Sequence, residues 1–216
     1  MMSIAHDNKT KMIKELVLKI IIFLKQNSSS LEKKKILDLI SLVNLDQQNT
    51  NYQKSSKPPK SESIKDALST IHCDKLLPIK KAISLTLNQL QWNIDDGEFY
   101  RKNSKIGNNY LNGNMNTELI GPNKGFFKSK ELRLGLFLLQ SNIFYKDHYH
   151  ASPELYLNLT NGTKWRFGGS AWREKKAGSI VFNPPFRSHA MLVTDIPFLS
   201  VWCWPHSSSG KCVLTY

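Results

Sequence analysis

Apolar residues recur with helical spacing over roughly the first ninety positions and then change rhythm. Met12, Ile13, Leu16, Val17, Ile20, Ile21 and Leu24 fall three or four apart and predict one amphipathic helix. Ile36, Leu37, Leu39, Ile40 and Val43 predict a second, with Ser30 as its N-terminal cap. Ser63 and Asp66 have the spacing of a capping box ahead of Ile64, Ala67, Leu68 and Ile71. Pro78 suits the first turn of a further helix carrying Ile79, Ile83, Leu87 and Leu90. Between the second and third helices, residues 45–62 are polar, include Pro58 and Pro59, and predict a mobile linker.

Past Asp96-Gly97 the apolar runs become short or alternating and are separated by glycine and proline: ELRLGLFLLQ, ELYLNLT, TKWRF, GSIVF, SHAMLVT and PFLSVWCW. Short strands at that spacing predict a β-sandwich or barrel. The expected organisation is α+β, with a helical region over 1–95 and a β-barrel over 96–216. No internal repeat interrupts it.

Composition narrows the classes. A chain of 216 residues with 40% hydrophobic side chains has enough apolar surface for a core. A formal charge of +13 would suit a polyanion, but it is mostly lysine spread over the N-terminal half, with no arginine-rich run and no zinc-finger or RNP signature. Solvated helix faces are expected and a nucleic-acid partner is not; the positive field still attracts small carboxylates. Cys73, Cys203 and Cys212 are odd in number and lack CxxC spacing, which suits a reducing cytoplasm. LVLKIIIFL at 16–24 is broken by Lys19, too short to span a bilayer, and followed by no small-residue cleavage site. It predicts a buried amphipathic helix, with a membrane-surface helix as the alternative and no stable membrane insertion.

The candidate chemistry lies in HYHASPELY, residues 148–156. Side chains alternate faces along a strand, so His148, His150, Glu154 and Tyr156 enter one interior if the register holds through Pro153. Imidazoles and a carboxylate placed so closely meet one divalent ion at little ordering cost and leave coordination positions open. GSIVFNPPFRSHAM supplies a fourth donor, His189, at the head of the strand after the Pro184-Pro185 turn. An isolated HxH pair is usually structural. Three of the six histidines gathered with a glutamate favour a metal site instead.

On these residues the chain resembles the cupin superfamily. Its first motif, approximately G-x5-HxH-x3-E-x6-G, is met by His148, His150 and Glu154, with Asn142 at the leading glycine and Gly162 one residue late. Its second, G-x5-P-x-G-x2-H-x3-N, is met by Gly178, Pro184 and His189, with Phe186 and Val193 at the glycine and asparagine positions. Over roughly 120–205 the chain is similar, more narrowly, to the cupin dimethylsulfoniopropionate (DMSP) lyases. That likeness rests on GPNKGFFKS, LGLFLLQ, the Y-x2-HxH-x3-E-x-Y run from Tyr145 to Tyr156, Trp165, AGSIVFNPPFRSHAM and the closing WCW.

The resemblance implies a helical N-terminal region followed by a C-terminal cupin β-barrel, the double-stranded β-helix or jelly roll. It implies a lyase that splits DMSP, a small zwitterionic sulfonium, into dimethyl sulfide and acrylate by β-elimination. One divalent transition metal ion held by His148, His150, Glu154 and His189 would serve it, and zinc, iron, manganese and nickel all accept such ligands. Ionising a free tyrosine at neutral pH costs about 4 kcal/mol, within what a neighbouring divalent cation offsets. Tyr156 shares the ligands' parity and is the expected base. Tyr145 has odd parity, needs Lys146-Asp147 to turn it inward, and is expected to bind substrate or assist. Trp202 and Trp204 on one strand face, and Trp165 on a neighbouring strand, are candidates to hold the sulfonium by cation–π attraction. The rival readings are a cupin dioxygenase with the same ligands and a non-catalytic metal- or sugar-binding cupin. Oligomeric state, a homodimer included, stays open.

Overall fold

The computed structural model describes residues 2–28, 30–50, 52, 57–205 and 210–215. The chain begins with helices α1 (Met2–Asn27), α2 (Leu31–Ser41), α3 (Ser61–Ser69) and α4 (Leu77–Thr86). Ser30 caps α2, its hydroxyl accepting from the Lys33 N–H. No helix among the described residues is long and apolar enough to cross a membrane.

Two helix boundaries differ from the sequence expectation. Helix α3 starts at Ser61 with Lys60 as an N-cap that makes no side-chain bond, so Ser63 and Asp66 form no capping box. The Pro58-Pro59 turn launches the helix early, and the Ser63 hydroxyl, now inside it, accepts from Gln140 Nε2 at 2.9 Å. Helix α4 stops at Thr86, whose hydroxyl turns back on the Ala82 carbonyl at 2.8 Å. Leu87 and Leu90 therefore lie beyond it, in a turn tied by Trp92 Nε1 donating to the Leu87 carbonyl at 3.0 Å. Of the expected linker, positions 51 and 53–56 fall outside the described residues. Its described parts are pinned: the Asn49 N–H donates to the Phe126 carbonyl, and the Tyr52 hydroxyl accepts from the Gln91 N–H.

A short helix α5 (Asn108–Gly113) leads into the strands β1 (Asn114–Gly121), β2 (Phe127–Lys128), β3 (Leu132–Leu139), β4 (Phe144–Tyr149), β5 (Glu154–Asn158) and β6 (Thr163–Phe167). They are followed by β7 (Arg173–Glu174), β8 (Ile180–Asn183), β9 (His189–Val193), β10 (Phe198–Pro205) and β11 (Val213–Leu214). Among the described residues these make a six-stranded sheet, β2-β1-β3-β10-β5-β8, facing a five-stranded one, β11-β4-β9-β6-β7. Strand β1 has no sequence signal, because NMNTELIG carries neither an apolar run nor clean alternation.

The larger sheet is buried on both faces, which explains why LRLGLFLL is continuous rather than alternating. Leu134, Leu136 and Leu138 of β3, Leu155 and Leu157 of β5, and Leu199 and Val201 of β10 join Ile13, Leu16, Ile20 and Leu24 of α1 and Ile64 of α3 in one apolar core. The opposite parity, with Phe137, Tyr156, Trp202 and Trp204, belongs to a second core inside the barrel. Each fully buried leucine in the outer core contributes roughly 1.5–3 kcal/mol, so the helices anchor the sheet from outside.

Two departures from the cupin motifs keep the backbone those motifs require. Asn142, at the first motif's leading glycine, has φ 61°, and Phe186, at the second motif's glycine, has φ 62°. Asparagine tolerates this left-handed region, whereas a bulky side chain is strained there by about 1–2 kcal/mol. The Phe186 turn holds because its N–H donates to the His150 carbonyl at 2.9 Å. The Phe186 side chain is 68% exposed, so little packing would be lost with it. Phe186→Gly should therefore stabilise the fold by up to about 1 kcal/mol once glycine's greater unfolded-state entropy is subtracted. Thermal unfolding should show a higher Tm; a lower one would mean the strain is relieved elsewhere.

Candidate active site

The corner between β4 and β5 governs how the candidate ligands meet. His148 lies on β4, His150 just past its end, and Glu154 and Tyr156 on β5 in the facing sheet. The single strand expected over 148–156 is thus two strands in different sheets. Pro153, with no N–H to continue a ladder, sits in the corner between them. The four side chains converge because two sheets close over one interior, not because of parity along one strand. His189 enters from β9, paired in register with His148.

Each imidazole is oriented by a backbone carbonyl two residues away. Nδ1 lies 2.7 Å from the Lys146 carbonyl in His148, 2.6 Å from that of Ser152 in His150, and 3.0 Å from that of Arg187 in His189. A carbonyl only accepts, so each Nδ1 carries the hydrogen and each ring turns its Nε2 inward. The ligand atoms of the three buried histidines lie within 4.8 Å of one another.

Glu154 closes the cluster from the other sheet. Its Oε2 is 3.2 Å from His150 Nε2 and 3.5 Å from His189 Nε2. The second approach is too poor for a hydrogen bond, and His189 Nε2 is buried with no hydrogen-bond partner among the described residues. Trp204 Nε1 donates to Glu154 Oε1 at 2.6 Å and Asn183 Nδ2 to Oε2 at 2.9 Å. Asn183 is the cross-strand neighbour of Glu154, which sets that bond by register. Burial drives His148 well below the usual histidine range, with His189 adding to the effect. At Glu154 burial acts upward, but His150 and His189 overcome it and hold the carboxyl well below the carboxylate range. Inward imidazole nitrogens beside a carboxylate, that of His189 an orphan, fit a divalent cation in both donor type and orientation.

An adjoining cavity is lined by His148 and Glu154, the aromatic residues Phe99, Tyr110, Phe137, Tyr145, Tyr156, Trp202 and Trp204, and Asp95, Asn116 and Cys212. Tyr145 reaches it through a bulge. The pairing of β4 with β9 runs Tyr145 to Met191 and then His148 to His189, so one extra residue lies between Tyr145 and His148 on β4. The extra residue lies in the Lys146-Asp147 segment and turns Tyr145 inward, bringing its ring within 4.4 Å of that of His148. The Tyr100 hydroxyl donates to that of Tyr145, and the Tyr110 ring stacks on it at 4.5 Å. Burial raises both Tyr145 and Tyr156 well above the usual phenol range, the Glu154 charge adding to it at Tyr156.

Trp165 is placed differently from its partners. It lies on β6 in the five-stranded sheet, not on a neighbour of β10, and it does not line the cavity. Wholly buried, it packs under Tyr156 at 5.2 Å and against Phe198 at 6.0 Å. Sequence reasoning missed Asp95, Tyr100, Tyr110 and Asn183. The first three come from the stretch read only as a boundary, where the one signal was the density of Trp92, Phe99, Tyr100 and Tyr110 in an otherwise polar segment.

A helix-backed double-stranded β-helix whose facing sheets gather three histidines and a glutamate defines a cupin-fold protein with a candidate metal centre. A family model described as dimethylsulfoniopropionate lyase matches residues 32–200, and the chain belongs to that family and is a lyase. Among solved structures it is similar to the DMSP lyase DddQ from Ruegeria pomeroyi, at 21% identity and a TM-score of 0.72, covering 95% of this chain and 97% of that one. A structure described with the DMSP lyases RdDddP and RnDddQII matches at 16% identity and a TM-score of 0.71, covering 96% of this chain and all of that one. At these identities the likeness concerns the fold. No curated protein sequence matches.

Because Trp204 and Asn183 donate to the Glu154 carboxylate and help set it against the histidines, Trp204→Phe or Asn183→Ala should weaken metal binding by about 10–100-fold with the fold intact. Metal content after dialysis against graded chelator, with circular dichroism as control, reads this directly; unchanged retention in both variants would remove these residues from ligand positioning.

Proposed function

We propose that this protein cleaves DMSP to dimethyl sulfide and acrylate by a β-elimination in which Tyr156 is the base. The observation that carries the reading is the meeting, in one aromatic-walled cavity, of an inward-facing His and Glu cluster with three buried phenols, Tyr110, Tyr145 and Tyr156. His148, His150, Glu154 and His189 would hold one divalent transition metal ion, which when bound polarises the substrate carboxylate and so acidifies the adjacent C–H. Tyr156, next to the Glu154 carboxylate, would take the α-proton as its phenolate once a bound cation offsets the burial and the Glu154 charge that hold its proton on. The electron pair left on the α-carbon becomes the carbon–carbon double bond as the Cβ–S bond breaks. Sulfur leaves as neutral dimethyl sulfide, and acrylate keeps the carboxylate.

Tyr145 is held on one side by the Tyr110 ring and at its hydroxyl by Tyr100, which suits orienting a substrate more than receiving a proton. Trp202 and Trp204 offer faces to the sulfonium, an attraction of about 0.5–2 kcal/mol. We assign catalysis to a barrel over 96–216 and a supporting role to the helical region over 1–95. The cavity lining supports this division except at its boundary: it draws on none of α1 to α4, but Asp95, the last residue of the helical region's range, lines it.

Headspace detection of dimethyl sulfide from purified, metal-loaded protein and DMSP tests the activity. His148→Ala, His150→Ala and His189→Ala should each lower bound metal and turnover together; full occupancy in any of them would strike that residue from the ligand set. Tyr156→Phe should keep the metal and lose roughly 10²–10⁴-fold in kcat, the range of a positioned acid or base. Tyr145→Phe should act mainly on KM. The reverse pattern would move the base to Tyr145.

A further inference from the structure

Asp95 stands in the wall of the reaction cavity without a countercharge. It is 1% exposed and lines the same cavity as His148 and Glu154. Its Oδ1 accepts from the Gly97 N–H at 2.9 Å and its Oδ2 from the Tyr110 hydroxyl at 2.7 Å. Asn114 clamps its backbone, accepting from the Asp95 N–H at 2.8 Å and donating to the Asp95 carbonyl at 2.9 Å. All of these partners are neutral. Among the described residues no lysine, arginine or histidine forms an ion pair with it, and the charged neighbour that acts on it is Glu98, of the same sign.

A buried carboxylate without a cation is costly. The turn to Gly97 does not require one, since asparagine or serine makes the same side-chain bond to a backbone N–H. The charge is therefore unexplained by the loop it sits in. Its place in the cavity supplies an explanation. The Tyr110 ring whose hydroxyl it receives stacks on Tyr145 at 4.5 Å, and Tyr145 packs on His148 at 4.4 Å. With a divalent cation held by the imidazoles and Glu154, the cavity would offer a positive point to a carboxylate and, at Asp95, an anion to a cationic end, the two joined by aromatic faces. That arrangement complements a zwitterion.

We propose that Asp95 is a specificity-determining residue that selects substrates with a permanently cationic end, sulfonium or quaternary ammonium, over neutral isosteres of the same shape. The inference rests on the reading of this cavity as the site of a sulfonium substrate. Asp95 attracts the cation while the Cβ–S bond is intact. Once that bond breaks the sulfide is neutral, the attraction ends, and release is not hindered. Its effect therefore falls on substrate binding more than on the chemical step.

The test uses the full chain loaded with zinc and two ligands that share a carboxylate and a shape: the trimethylammonio derivative of propionate and its tert-butyl carbon isostere. Calorimetric titration should show the wild-type protein binding the cationic ligand about tenfold or more tightly, the order expected of one unscreened charge pair. Asp95→Asn should abolish most of that preference and leave the neutral ligand's affinity nearly unchanged, a split that a loop-shaping role would not produce. Asp95→Ser, which keeps the turn, is the second variant should the asparagine fail to fold. The proposal is overturned if wild type shows no preference, if either folded variant retains it in full, or if neither variant folds, which would assign Asp95 to the loop. A wild-type protein that releases no dimethyl sulfide yet shows the Asp95-dependent preference would sink the lyase reading and leave this one standing.

Discussion

The Glu154 carboxylate is the point on which the site depends. A buried carboxylate persists only where donors or cations surround it, and this one is met from three directions. Trp204 comes from β10, Asn183 from β8, and the imidazoles of His150 and His189 from the facing sheet. Those contacts tie the two sheets together at their polar centre. They also explain why Trp204 belongs to the site although its ring is apolar: its indole N–H orients a ligand candidate while its face lies 4.8 Å from the ring of His150.

A polar interior of this kind needs its stability from elsewhere. In this fold the outer face of the six-stranded sheet supplies it, through leucines and valines packed on α1 and α3. The inner face is thereby released from core duty and carries histidine, glutamate, tyrosine and tryptophan. The helical region and the barrel are separate in sequence grammar but continuous in packing, one apolar core running through both. The segment between them contributes the rest of the cavity wall, with Asp95, Phe99 and Tyr110 closing the side that the strands leave open.

Phe186 and Asn142 illustrate how a motif survives substitution. What the glycine positions contribute is a left-handed backbone at two turns, and both residues adopt it. The strain at Phe186 is tolerated because its N–H is committed to the His150 carbonyl, so the turn that precedes His189 is tied to the strand end that carries His150. The two halves of the ligand cluster are joined through this backbone bond as well as through Glu154.

The sequence by itself determined what is local. Helical stripes, the Ser30 cap, most of the strands and the close spacing of His148, His150 and Glu154 follow from periodicity and residue type, which act over a few positions. Tertiary structure decided whatever depends on a partner strand or a distant loop. Tyr145 faces the cavity because β4 bulges against β9, a register defect that needs both strands to exist. Trp165 looks equivalent to Trp202 along the chain, yet β6 belongs to the other sheet and places it beneath the cavity rather than in its wall. Asp95, Tyr100 and Tyr110 carry no pattern of their own and acquire a role only when their segment folds over the open side of the barrel. Residue spacing encodes which groups are near in the chain, whereas a site of this kind is made where two sheets and a covering loop meet, and that closure is set by packing between segments far apart in sequence.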